Sequence, residues 1–463
     1  MTVLPRYRTD PSPRALATRL RALLTADVPV ACGVYAGLTD PVPTSALHAR
    51  ITHAMARAFV AGESAAVPRF SLPPSAQLRL LTAASRGRLD GAGADMTTFP
   101  VDLASELWWR VHAHAGEPSL RPAERRVACD LFLRLGYPHR AASVIGLTVA
   151  DARNHTFAAE FAAEQLAVLR CHLPAPAVEA LALRGARSGL PAATRRDLAL
   201  FVVFRAAATG VDSTSLHAAA ALAMRAASEL PHAGFSDALA RVRLHRAVAT
   251  IPFVRRDIVE THRLLGRAVE GLTSVAPGEA EFDRLAWADE AYALHALLVQ
   301  THLAIGLGQR AVGHADELVA LSPGDDRTWA LRGDALVSCG RLEEAVEAYT
   351  QGVALGGWGA ARAAHLRGFA LQRLGRAVEA EADFLLAHRI DPTASVGGVG
   401  VAAGRRATGG RVGAGAPSAV VAATVPVVWA VPADQAVPTV QAVPAVQAVP
   451  TASTSAASSG SGG

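Results

Sequence analysis

One stretch of this chain is written twice. WALRGDALVSCGRLEEAVEAYTQGVALGG starts at Trp329, and AHLRGFALQRLGRAVEAEADFLLAHRIDP starts at Ala364. Both carry LRG, ending at Gly333 and Gly368. Each then has a leucine (Leu336, Leu371), a turn glycine (Gly340, Gly375), an alanine (Ala345, Ala380) and an aromatic (Tyr349, Phe384) at matching distances. The second copy closes at Asp391-Pro392. A weaker copy, AYALHALLVQTHLAIGLGQRAVGHADELVALSP, holds Gly306, Ala311 and Pro323 in the same places, with Val299 for the first glycine. The pattern fits two helices joined by a glycine turn. Small residues let the helices approach closely: Gly333 faces Ala345, and Gly368 faces Ala380. Trp329, Leu336 and Tyr349 fill the groove beside the contact. A proline after the second helix stops it.

These segments resemble tetratricopeptide repeats, helix-turn-helix units of about 34 residues. Starts at Tyr292, Asp326 and Ala361 give copies over 292–325, 326–360 and 361–394. AERRVACDLFLRLGYPHRAASVIGL is similar to a degenerate copy, with Gly136 at its turn and Ala141 in its second helix. The resemblance implies a right-handed superhelix whose concave wall is built from first helices and binds a peptide or protein. Projected onto this chain, the wall takes Gln300 and Leu303, then Arg327, Asp334 and Val337, then Arg362, His365, Phe369, Gln372 and Arg373. Its arginine-rich end suits carboxylate or phosphate groups. Charge reversal at Arg362 and Arg373 is therefore expected to weaken partner binding without unfolding the chain. The subgroup that clamps a C-terminal carboxylate uses lysines and asparagines. This chain has no lysine and a single asparagine, Asn154, so that activity is not carried over.

The remainder sorts into three zones. Residues 1–97 are irregular, with a helix expected over Thr44–Ala61 and a short strand possible at Asp27–Gly37, between Pro/Gly-rich breaks. Residues 98–291 are a train of helix-sized segments separated by short breakers such as LGYPH, SGLP and SVAPGE. Residues 395–463 hold no Leu, Ile or Phe and include a proline-spaced hexapeptide, WAVPAD/QAVPTV/QAVPAV/QAVPTA, which favours extended, solvated chain. The fold class expected is all-α: an α-solenoid with a disordered tail. Residues 412–433 form an uncharged run long enough to span a bilayer, but three prolines and the lack of large aliphatics argue for a linker.

Composition removes several chemistries. Without lysine there is no P-loop lysine and no Schiff-base lysine. Cys32, Cys129, Cys171 and Cys339 are widely spaced, which fits reduced thiols rather than a disulfide framework. No signal-peptide pattern opens the sequence. His112 and His114 beside Trp108-Trp109, and Cys171-His172, lack further members of a metal or nucleophile site. No metal, cofactor or enzymatic activity is expected. The 45 basic residues against 40 acidic ones suggest nucleic acid, but the charges are interleaved and no binding motif is present. GRRATGG resembles a kinase site at Thr408. The arginine-for-lysine bias fits a high-G+C bacterial genome. The expectation is a cytoplasmic bacterial adaptor for a polypeptide partner. The alternative is a sensor of a small signalling peptide that acts through a separate transcription regulator.

Overall fold

The structure, a computed structural model, describes residues 8–9, 46–71, 106–134, 138–148, 155–209, 212–231, 234–355, 360–391 and 394–395. The chain divides into two compact units, 1–429 and 430–463, and every described residue lies in the first. Several sequence-derived features lie outside the described residues: Asp27–Gly37, Asn154, Gly136, Pro392, Thr408, the 412–433 run and the hexapeptide tail.

The helices, in chain order, are α1 (Leu47–Val60), α2 (Glu106–Ala115), α3 (Pro122–Arg134), α4 (Pro138–Val144), α5 (Ala162–His172) and α6 (Ala175–Ala186). There follow α7 (Ala192–Thr209), α8 (Thr214–Ser228), α9 (Phe235–Val248), α10 (Thr250–Val254), α11 (Ile258–Thr273) and α12 (Glu281–Ala304). The last five are α13 (Gly308–Leu321), α14 (Asp326–Ser338), α15 (Leu342–Ala354), α16 (Ala360–Arg373) and α17 (Ala377–Ile390). Ser213, Asp257 and Asp325 start α8, α11 and α14 by accepting a backbone N–H bond, as short oxygen side chains do at helix N-caps. Gly306, Gly340 and Gly375 turn between paired helices at φ 78°, 76° and 79°, where a side chain would be strained.

The architecture is an all-α solenoid in which consecutive helices pack together. α12 lies on α13, α13 on α14, α14 on α15, α15 on α16 and α16 on α17, with α6, α7 and α8 forming a similar run upstream. One hydrophobic core extends from Leu47 to Ala370, and a second joins α9, α11 and α12. The only strands among the described residues are β1 (Arg8–Thr9) and β2 (Ala394–Ser395), an antiparallel pair. Two residues carry no readable periodicity, so this pairing was invisible in the sequence.

The repeat glycines sit where the helices are closest. A Cβ on Gly333 would lie 2.4 Å from the Tyr349 ring, and one on Gly368 would lie 2.8 Å from Phe384. Ala311, Ala345 and Ala380 are buried. α12 begins at Glu281, well before the repeat start expected at Tyr292, because Leu285, Ala288 and Ala291 hold a buried helical face and nothing breaks it. That extension carries Glu290, fully buried, which accepts from Arg243 and Arg246 of α9 at 2.9–3.0 Å.

α1 confirms the helix expected over Thr44–Ala61 and shows where it docks. The Leu47 N–H donates to Ser322 Oγ, Arg50 to the Leu321 carbonyl, and the Ser71 N–H to Asp289. Arg57 pairs with Glu281, and Ile51, Met55 and Phe59 are fully buried. Residues 46–71 thus pack on the first repeat from far away in sequence. No helix among the described residues is long and apolar enough to cross a membrane.

Gly333→Ala is expected to cost about 1–3 kcal/mol, because Tyr349 must move. Gly313→Ala, in open space on α13, is expected to gain about 0.5–1 kcal/mol from helix propensity. Urea unfolding of the two variants checks both signs.

Candidate partner-binding face

The face assigned to partner contact is made by α12, α14 and α16. Its residues fall into two groups. In the first group, arginines are already held by the chain. Asp325 caps α14 through the Arg327 N–H and also takes the Arg327 guanidinium at 2.9 and 2.5 Å. Tyr292 donates its hydroxyl to the same carboxylate at 3.0 Å, and Arg327 lies over the Tyr292 ring. Burial opposes the charge on Asp325, but the Arg327 charge and hydrogen bonds win and hold its pKa down at about 2. Beside this group is α1: His48 stands edge-on to Tyr292, and burial, with Arg327 nearby, lowers its pKa to about 3.

The same arrangement recurs one repeat on. Asp334 accepts from the Tyr349 hydroxyl at 2.7 Å and from Arg362 at 2.5 Å. Burial raises the Tyr349 pKa well above its ordinary value. Asp334 is only 4% exposed. His365 is wholly buried against Phe369 and Phe384, its pKa lowered to about 4 by burial and the Arg362 charge.

The structure therefore corrects the sequence-derived wall. Asp334 and His365 are core residues. Arg362 is tied to Asp334 of the preceding hairpin, Arg327 is tied to Asp325 at the start of its own helix, and Val337 is buried. Helical spacing places residues on one helix but does not show which charges find partners on the adjoining hairpin. The second group stays open. Gln300 and Phe369 are half-buried, and Gln372 and Arg373 are exposed at the end of α16. Trp329 is half-buried and donates to the Pro323 carbonyl at 2.8 Å.

A histidine cluster was missed in the sequence. His262 of α11, His295 and His302 of α12 and His314 of α13 meet at one junction. The Nδ1 atoms of His295 and His314 are 3.2 Å apart, His302 stacks on His314 at 5.1 Å, and His262 stands edge-on to His302 at 5.5 Å. Arg310 and Glu317 face the cluster. Burial, then neighbouring histidine charge, lowers His302 and His314 to about 4. His295 and His302, seven apart on one helix, were the available signal. Among the described residues no group of three or more His, Cys, Asp or Glu is placed to hold a metal ion.

Residues 261–356, from α11 through α15, match the bacterial transcriptional activator domain family. The comparison with curated proteins returns no match. Solved structures similar to the chain include a human IFIT1 dimer with m7Gppp-AAAA, at 11% identity over 83% of this chain and 88% of that one, TM-score 0.34. Another is the APC/C hetero-tetramer Cut9–Hcn1, at 10% identity over 74% and 81%, TM-score 0.21. At those scores neither bears on partner or activity.

Two outcomes follow from the electrostatics. Arg362→Glu sets a second carboxylate against buried Asp334 and is expected to destabilise the chain by about 3–5 kcal/mol, whereas Arg373→Glu changes stability by less than about 0.5 kcal/mol. Thermal unfolding separates them. His302 and His314 take up protons less readily when folded (about 4) than at the ordinary 6.5. Their favourable balance is complete above about pH 6.5 and is lost as pH falls toward 4. Asp325, lowered from 3.8 to about 2, loses its contribution only below that window. A melting-temperature profile from pH 8 to 4 is expected to fall, and His302→Gln with His314→Gln flattens the fall.

Proposed function

We propose that this chain is a non-enzymatic regulatory module in bacterial transcription control, acting in the cytoplasm, whose TPR-like repeats hold a polypeptide segment. The observation that carries this reading is the match of residues 261–356 to a bacterial transcriptional activator domain, laid on the best-formed repeats. The open end of the α16 face supplies contact chemistry. Arg373 is exposed, Gln372 offers amide donors and acceptors, and Phe369 presents a half-buried ring. A guanidinium beside an aromatic edge suits a carboxylate next to an apolar side chain.

The start of the same face is lined by α1, and its arginines are spent on Asp325 and Asp334. The open stretch is therefore short. A short acidic segment, from a partner regulator or a signalling peptide, fits it better than a long extended chain. The family match also takes away the ground for excluding nucleic acid, so DNA enters the test as a competing ligand.

The test compares transcript profiles of a strain lacking the chain with one carrying the full-length Arg373→Glu, Gln372→Ala protein. Both are expected to shift the same transcripts, with the variant's abundance and melting temperature unchanged. An unshifted profile in the deletion strain overturns the regulatory reading. A shifted deletion strain beside a silent variant overturns the site. Gel-shift assays on DNA upstream of the affected genes are expected to show no binding by the chain alone.

A further inference from the structure

The outer back of α17 differs from that of every other second helix in the best-formed repeats. At equivalent positions α13 carries Gln309, Gly313 and Asp316, and α15 carries Glu343, Glu347 and Thr350, all exposed. α17 carries Val378, Ala382 and Leu385 there, with Val378 84% and Leu385 60% exposed. The change is reciprocal. Val346 and Val353 of α15 are half-buried, whereas the equivalent positions of α17, Glu381 and His388, are exposed. The last helix thus carries exposed polar groups where the preceding second helix has half-buried valines, as a terminal repeat does, and an apolar back. Among the large exposed hydrophobics of the described residues, only Val378 and Leu385 share a helix face. Met224, Val259 and Leu307 lie singly on other elements.

We infer that the back of α17 is a self-association surface, where a second copy of this chain packs antiparallel with Leu385 near the two-fold axis. The charge pattern selects that occupant and that direction. Ala380, Asp383, Ala387 and Ile390 are the buried face of α17, which puts Leu385 at the centre of the opposite side. Glu381 and His388 lie on one flank of the stripe, and both are exposed. Two antiparallel copies related by a dyad bring like flanks together. Glu381 of each copy then meets His388 of the other, on the same side of the Leu385–Leu385 contact. A parallel pair brings opposite flanks together and leaves both groups without that match. A surface that pairs with itself through one apolar centre and two equal polar contacts is what a two-fold interface requires. A helix of 14 residues offers a small contact, so the dimer forms with rising concentration rather than permanently.

The test is sedimentation velocity of the full chain from roughly 1 to 100 μM, a range that spans weak association, with circular dichroism as the folding control. The wild type is expected to move from monomer to dimer. Leu385→Arg, at an exposed site, stays folded and remains monomeric throughout. His388→Glu faces Glu381 of the other copy and raises the dissociation constant at least tenfold. Glu381→Arg combined with His388→Glu brings it back to near wild type. That rescue cannot arise inside one helix, where positions seven apart are about 10 Å from each other. A monomer at every concentration overturns the inference and leaves the stripe to the chain's own tail or a different protein. A dimer that survives Leu385→Arg, or a double variant no better than His388→Glu, overturns the proposed surface or its direction.

Discussion

Tyr349 can lie across α14 only because residue 333 has no side chain. That contact sets the distance between the two helices of the hairpin, and its consequences run outward. The ring's hydroxyl reaches Asp334 at 2.7 Å, and Asp334 is thereby aimed at Arg362 of the following hairpin. One missing Cβ thus fixes a hairpin internally and sets how the next one attaches. One repeat earlier it is the tyrosine that crosses: Tyr292 of α12 reaches Asp325, which also holds Arg327 of its own helix. Each link buries a carboxylate beside a half-buried arginine, which is tolerable because a phenol also donates to the carboxylate.

How much of this was legible in the sequence varied with the physics involved. Helices and turns were readable: Gly340 and Gly375 take positive φ because a tight helix-to-helix turn needs it, and the paired alanines are buried because close approach needs small residues. The helix over 47–60 was readable from the spacing of Leu47, Ile51, Met55 and Phe59. Contacts between distant elements were not. Nothing local distinguishes Arg362, bound to Asp334, from Arg373, which is exposed. Both are arginines on one helix face, and only the neighbouring hairpin tells them apart. Repeat spacing marks the copied unit from Tyr292, whereas α12 extends back to Glu281 on a buried face whose Glu290 finds its partners in α9.

The open surface is what remains after these internal claims are met. α1 and the buried ion pairs take the first part of the first-helix face, and the histidine junction sits inside the matched 261–356 region rather than on that face. At the end of α16, Gln372 and Arg373 remain exposed.

The docking of α1 also has a bearing on biosynthesis. Leu47 and Ser322, which hydrogen-bond, are 275 residues apart. A ribosome adding roughly 5–20 residues per second takes about 15–55 s to supply the second partner after the first. Throughout that interval α1 can already pack on α2 and α3, where Phe59 meets His114, but its bonds to the repeat have no second partner. The contact between α1 and the repeat is therefore among the last to form, and the edge of α1 that it covers stays open for most of that interval. That interval is where a chaperone, or a wrong partner, would meet it.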